Sequence, residues 1–321
     1  MQRIFPVFIV FFISLVFLAG QIKNDKTASP RSGLFNAEKL LQDLKMLSAD
    51  EMQGRAPGTE GSRKAREYIV ERFKQSGLQQ FDNSYLQSFT FSPRNEAREL
   101  QGTNVAGYIR GTKEADKYIV VTAHYDHLGV KNGAIYNGAD DNASGTAALF
   151  ALAEHFKNNR PAHSIIFVAF DAEESGFVGA RKFLAKPPVD KKAILLNINL
   201  DMISHNERGE LYASGTYHYL FLKPFLEEVK KRSQIKLSFG HDTPGTGSED
   251  WTSQSDHFVF HGEKIPFIYF GVEDHKDYHK PTDDFENINR EFYVRAVETV
   301  LAAVKSFDRN GKAIERQKTG K

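Results

Sequence analysis

The chain has 321 residues, room for one large α/β domain or two modest ones. Lys and Arg number 42 against 41 Asp and Glu, a formal net charge of +1, so nothing in the balance marks a nucleic-acid or polyanion binder. Cysteine is absent, which excludes disulfides, a thiol nucleophile, Cys-ligated zinc and iron–sulfur clusters; the 11 histidines and the carboxylates leave metal chemistry with nitrogen and oxygen ligands.

Residues 1–20, MQRIFPVFIVFFISLVFLAG, have the form of an export leader. Arg3 supplies the positive start, an apolar run extends from Ile4 to Ala19, and Leu18-Ala19-Gly20 offers a small-residue cleavage site. The run is shorter than the ~20 residues of a spanning helix and contains Pro6. A periplasmic or extracellular protein is expected, membrane-attached only if the leader stays uncleaved. Residues 21–35 read as a flexible linker.

Globular composition begins near Asn36. Residues 58–77 carry Ala65, Tyr68, Ile69, Val70 and Phe73 at helical spacing, and Gly77 ends the helix. Extended structure is expected over 81–91 and 103–109. The run Tyr118 to Ala123 has the β-branched content of a buried strand and leads into His124-Tyr125-Asp126-His127. A helix is expected over 144–156. Three more apolar strands are expected at 164–170, 194–200 and 266–270, followed by Glu173-Glu174, Asp201 and the polar segment 271–284. A last helix spans about 289–307, and the basic tail from 309 is expected to fray.

Strands alternating with helices give an α/β class: one domain over 36–308, with a mostly parallel mixed sheet flanked by helices. Ligands of such sheets bind beyond the carboxyl ends of the strands. Each of those ends here carries His, Asp or Glu. Taken singly, each such residue suits a cap or a solvated turn. Together, that many acids at one edge are costly to bury without a cation. Two imidazoles with three or more carboxylates suit zinc. His124 and Asp126 are two apart on an extended segment, so the Asp126 carboxylate is expected to hold the far ring nitrogen of His124. Gly138 and Gly145 flank Asp140-Asp141 and permit a tight turn.

The strings VVTAHYDHLG, NGADDNASGTAAL, FVAFDAEESGFVGARKFL, LNINLDM and DYHKPTDD resemble those of the dinuclear-zinc exopeptidases. That family includes the bacterial leucyl aminopeptidases and, more distantly, glutamate carboxypeptidase II and glutaminyl cyclase. The resemblance covers about residues 36–308 and implies the zinc-exopeptidase fold, two zinc ions per chain and peptide substrates. It implies that His124 and Asp201 hold one zinc, Glu174 and His279 the other, and that Asp141 spans both. It makes Glu173 the general base acting on a zinc-bridged water, and Asp140 a structural neighbour. The charges agree: two zinc ions bring +4, and three ligand carboxylates with a hydroxide bring −4. His127 is read as lining the cleft, His257 and His275 as support or substrate contacts, and His205 among the surface or structural histidines.

About thirty residues separate the strand ending at Phe91 from the one starting at Tyr118, too few for an inserted protease-associated domain. Two substrate polarities remain open. Release of N-terminal residues needs a free amino terminus. A carboxypeptidase or dipeptidase needs a cation for the terminal carboxylate, most often Arg. Residues 240–289 contain no Arg, although Lys264, Lys276 and Lys280 lie there. Glutaminyl cyclisation is a third possibility, opposed by the complete set of five ligands.

Overall fold

The structure is a computed structural model that describes residues 30–93 and 98–319. The expected leader at 1–20 lies outside the described residues, as does most of the 21–35 linker.

Helices α1 (Ala37–Leu47) and α2 (Glu60–Gln75) precede strands β1 (Leu86–Phe91), β2 (Leu100–Ile109) and β3 (Glu114–His124). A small hairpin pairs β4 (Gly129–Lys131) with β5 (Ala134–Tyr136). Next come α3 (Gly145–Asn158), β6 (His163–Phe170), α4 (Val178–Ala185), β7 (Ile194–Leu200) and β8 (Glu210–Ser214). The rest comprises α5 (Lys223–Lys230), β9 (Lys236–Phe239), α6 (His257–Gly262), β10 (Phe267–Gly271), α7 (Arg290–Arg309) and α8 (Gly311–Thr319).

Helix starts follow local chemistry. Asn36, Thr59 and Asn289 each accept a backbone N–H from the first turn of α1, α2 and α7, satisfying a donor the helix cannot. Buried Arg72 of α2 pairs with Asp43 of α1 at 2.8 Å and with Glu154 of α3 at 2.7 Å, tying the three helices together.

The eight-stranded sheet has the order β1-β2-β6-β3-β7-β10-β8-β9. Its centre, β6-β3-β7-β10, is parallel, and antiparallel pairs flank it. Every residue of β6, β7 and β10 is buried, as expected for strands covered on both faces. On one face, Leu149, Phe150 and Leu152 of α3 pack with Val297, Val300 and Leu301 of α7. On the other, Phe183 of α4 and Phe260 of α6 cover Ile166 and Val168. Each such buried side chain contributes ~1.5–3 kcal/mol. Because the central strands run the same way, their carboxyl ends share one edge, and the segments after β3, β6, β7 and β10 meet there.

The expectation of a frayed tail is wrong. Residues 311–319 form α8, with Ile314 fully buried. Lys117 pairs with Glu315, and the Lys318 ammonium donates to the Ile194 carbonyl. One apolar anchor among charged residues leaves no helical stripe to read in the sequence, and the packing comes from distant partners. Strands β8 and β9 and helices α4 and α5 were likewise not expected.

Candidate metal centre

His124 is the last residue of β3. Its backbone carbonyl accepts from the Thr146 hydroxyl at 2.8 Å. Its Nε2 stands 3.3 Å from Asp141 Oδ1 and 3.3 Å from Asp201 Oδ1. Asp201 follows β7 directly, and Met202 beyond it adopts a left-handed φ of 58°.

Asp141 sits in the turn Ala139–Ser144 ahead of α3. The backbone N–H groups of Asp140 and Asp141 donate to the two oxygens of Asp283 at 2.9 and 3.0 Å. Asn142 fastens the turn to β7 by donating to the Leu200 carbonyl at 2.9 Å. Both flanking glycines are required by space. A Cβ on Gly138 would lie 2.0 Å from the Asp141 carbonyl, and one on Gly145 would lie 2.5 Å from the Leu200 carbonyl. The turn presents the Asp141 carboxylate in two directions. Oδ1 faces His124, while Oδ2 lies 3.1 Å from His279 Nε2 and 3.6 Å from His127 Nδ1.

Glu173 and Glu174 lie beyond the end of β6, after Ala172, another left-handed residue at φ 58°. Glu174 Oε1 is 3.0 Å from His127 Nδ1 and 3.5 Å from His279 Nε2. His279 is itself left-handed at φ 54°. Non-glycine residues in that region cost about 1–3 kcal/mol each and cluster at functional sites.

The structure brings His124, Asp141, Glu173, Glu174, Asp201 and His279 to one small cleft. Two groups at and beside this cleft have ligand atoms within 4.8 Å of one another: His124–Asp141–Asp201 and His127–Asp141–Glu174. Two ligands of a tetrahedral zinc, with bonds of ~2.0–2.2 Å, stand ~3.3 Å apart. The separations of 3.1 to 3.5 Å around His124 and His279 fit that spacing. The donors present therefore suit zinc, in two groups that share Asp141.

Asp126 departs from expectation. The His124 Nδ1 partner is the Asp126 backbone carbonyl at 3.1 Å, with the carboxylate farther away at 3.6 Å. The carboxylate instead accepts the backbone N–H groups of Glu173 at 3.0 Å and Glu174 at 3.3 Å. The chain turns as it leaves β3, so the two-residue alternation of a strand no longer applies. His127 was read as lining the cleft, yet its ring lies as close to Glu174 as a ligand would. The signal available was the third polar position of H-Y-D-H. His257 is fully buried, bonds the Trp251 carbonyl at 3.0 Å and packs its ring 4.7 Å from that of Tyr269, so it touches the cleft wall from behind.

The two adjacent glutamates are driven in opposite directions. Burial pushes Glu173 well above the usual carboxylate range. Burial and Asp141 also press Glu174 upward, but His127 and His279 outweigh them and hold it at about 2. Burial opposes charge on Asp141 too, and three imidazoles nevertheless hold its carboxyl well below the ordinary value. Burial works against a charged His124, while Glu173 and Asp201 raise it well above the ordinary histidine value. Such perturbed, mutually dependent groups in a cleft mark a functional centre.

The sequence pattern of peptidase family M28 matches residues 104–304. Aminopeptidase YwaD of Bacillus subtilis is 31% identical over 198 residues, 58% of this chain and 40% of that protein. A glutamate carboxypeptidase 2 homolog of Caenorhabditis briggsae is 35% identical over 164 residues, 49% of this chain and 20% of that one. The chain thus spans less than half the length of these curated relatives. An aminopeptidase from Aneurinibacillus sp. strain AM-1 superposes with a TM-score of 0.71 at 18% identity, covering 84% of this chain and 93% of that one. A glutaminyl cyclase of Porphyromonas gingivalis gives 0.69 at 19% identity, covering 86% and 99%. The structural likenesses establish a shared fold. With the family pattern extending over more than half of its length, the chain belongs to peptidase family M28.

Proposed function

We propose that this protein is an exported zinc aminopeptidase that removes N-terminal residues from peptides. The observation that carries the reading is the lining of the cleft. Asp141, Glu173, Glu174, Asp201 and Asp274 contribute to it, and no Lys or Arg does among the described residues. Lys264, Lys276 and Lys280, which kept a carboxypeptidase open, are not part of the lining. With the ligand carboxylates neutralised by zinc, Glu173 and Asp274 are the charges left over, and with no Lys or Arg beside them the cleft favours an ammonium end over a carboxylate. Asp274, solvent-exposed and outside the ligand set, is the acid available to a free α-amino group.

In this reading His124 and Asp201 hold one zinc, Glu174 and His279 hold the other, and Asp141 joins both. His127, with Nδ1 3.0 Å from Glu174 Oε1, supports Glu174. Bound zinc supplies Lewis acidity toward a carbonyl and acidifies water. Glu173 takes the proton from the attacking water and delivers it to the leaving amine. Burial, with the acids Asp256, Asp201 and Glu174, outweighs the opposing His124 and gives Glu173 the higher proton affinity that role requires. Trp251, Tyr269, Tyr278, Met202 and Val272 form the apolar wall against which a substrate side chain packs.

The test compares hydrolysis of free and N-acetylated aminoacyl chromogenic substrates, and of peptides with a blocked C-terminus. Free and C-blocked substrates are expected to be cut and N-acetylated ones spared. Release starting at the C-terminus would replace this reading with the carboxypeptidase, and cyclisation of N-terminal glutamine without hydrolysis would replace it with the cyclase.

A further inference from the structure

Tryptophan occurs once in the 321 residues, at position 251, and its side chain forms part of the cleft wall. It lies between β9 and α6, outside the sheet, at the start of the short turn Trp251–Ser253. Ring and backbone are both held. The His241 ring stacks on the indole, with centroids 3.7 Å apart and planes 6° from parallel. Tyr212 and Tyr269 pack against it near the perpendicular, with centroids at 5.5 and 5.8 Å. The Trp251 N–H donates to the His241 carbonyl at 2.8 Å, and that carbonyl also accepts the Ser214 hydroxyl at 3.0 Å, which fastens the stack to β8. The Trp251 carbonyl accepts the Gln254 N–H at 3.0 Å and bonds His257 Nε2 at 3.0 Å. Only 8% of the residue is exposed.

The space that this wall encloses is small. The cleft holds about 60 Å³. Small-molecule pockets usually hold ~300–1,000 Å³, and a cavity of ~150 Å³ is one that benzene, the ring of phenylalanine, occupies. The attacking water of the proposed reaction takes ~30 Å³ of the same space, which leaves room of methyl size. Two other wall members are tied to the metal site itself. The Tyr269 hydroxyl donates to the Asp201 carbonyl at 3.2 Å, and Met202 follows Asp201 with its N–H on Asn142 Oδ1 at 3.3 Å. Trp251 is joined to β8 and α6 instead, so its bulk closes the cleft without holding a ligand in place.

We propose that Trp251 determines the specificity of this site and restricts the released N-terminal residue to small side chains, those of glycine, alanine and serine. This restriction rests on the aminopeptidase reading above and adds to it the class of peptide that is cut. Close-packed side chains admit extra methylenes only by moving, and retreat of the indole from a leucine or phenylalanine side chain would break its stack on His241.

The test measures kcat/KM of the zinc-loaded protein on the p-nitroanilides of glycine, alanine, leucine and phenylalanine. Alanine is expected to exceed leucine and phenylalanine by at least ~10-fold, the scale on which a pocket separates side chains that differ by methylenes. Trp251→Ala is expected to move the leucine-to-alanine ratio ~10-fold or more toward leucine. Trp251→Phe, which keeps a ring against His241, is expected to move it the same way by less. The single tryptophan supplies a readout independent of turnover: fluorescence of the unaltered protein is expected to change saturably with added alanine and not with leucine at the same concentrations. Faster release of leucine or phenylalanine than of alanine overturns the restriction, as does an equal fluorescence response to leucine or an unmoved ratio in a folded Trp251 variant. Each of these leaves the aminopeptidase reading in place, whereas cleavage of none of the four substrates overturns both. Should Trp251→Ala prevent folding, the unaltered protein and Trp251→Phe decide.

Discussion

Glu173 and Glu174 hang from one anchor, their backbone N–H groups both donating to the Asp126 carboxylate, and yet their side chains enter different surroundings. Glu174 meets two imidazoles, at 3.0 and 3.5 Å. Glu173 points into the cleft, and burial raises its proton affinity. Glu173→Gln keeps size and hydrogen bonding but removes the proton acceptor. The expected result is a fall in kcat of ~10²–10⁴-fold, with metal content and melting temperature unchanged. Glu174→Gln is expected to lower zinc content together with activity. Metal analysis beside steady-state kinetics reads both, and loss of zinc from Glu173→Gln would show the two roles reversed.

Asp126→Ala tests the anchor. It leaves two N–H donors at Glu173 and Glu174 without their acceptor, and the Asp126 side chain is fully buried. A loss of ~1–3 kcal/mol is expected from such unsatisfied groups, with a drop in kcat because both glutamates shift. Urea unfolding and kinetics on the same preparation check this. A variant with native stability and full turnover would remove Asp126 from the site.

Arg55 is fully buried and braces the opposite side of the Asp140–Asp141 turn. Its guanidinium donates to four backbone carbonyls: Leu47, Tyr125, Asn137 and Gly138. Burial lowers its pKa to about 10, with Asp141 and Asp283 sustaining the charge. Arg55→Met removes their shared donor; the Gly138 carbonyl keeps the Ala143 N–H at 3.1 Å, and the other three cost ~1–3 kcal/mol for each that water cannot reach, so the expected loss exceeds ~3 kcal/mol. Arg55→Lys recovers only part of it, because an ammonium cannot span the planar fork. Denaturant midpoints at constant slope measure both.

After exhaustive chelation, the His279–Glu174 pair gives stability a defined pH window. Burial opposes charge on His279, but Asp141 and Glu174 raise it from 6.5 to about 10. A raised histidine contributes fully below 6.5, and the contribution is lost as pH climbs through about 10. Glu174, lowered from 4.5 to about 2, contributes above 4.5 and loses its contribution as pH falls through about 2. The melting temperature of the chelated protein should therefore be highest between pH 4.5 and 6.5 and decline on the alkaline side. His279→Gln should flatten that alkaline decline. An unchanged profile would detach His279 from the pair.

If residues 1–20 act as the export leader proposed for them, the mature protein begins near Gln21. N-terminal sequencing of material recovered from the periplasm or medium checks it. A start at Met1 in released protein would contradict cleavage, and recovery in the membrane fraction would indicate an anchor.

Much of the site was legible along the chain. Apolar β-branched runs such as Tyr118–Ala123 and Ser164–Phe170 give buried parallel strands, and parallel strands bring their carboxyl ends to one edge whatever their order. Acids and histidines placed directly after such runs therefore had to meet, and the motif resemblance attached roles to them. Strand order, the turn after His124 and the course of the 271–284 segment depend on contacts between residues far apart in sequence. Those contacts decided that the Asp126 carboxylate holds the glutamate backbone and that His127 reaches Glu174. They also buried Arg55 beneath the Asp140–Asp141 turn and brought His205 to His275 and Asp277. Burial and convergence of this kind arise from packing in three dimensions, and a local sequence period carries no information about partners 70 residues away.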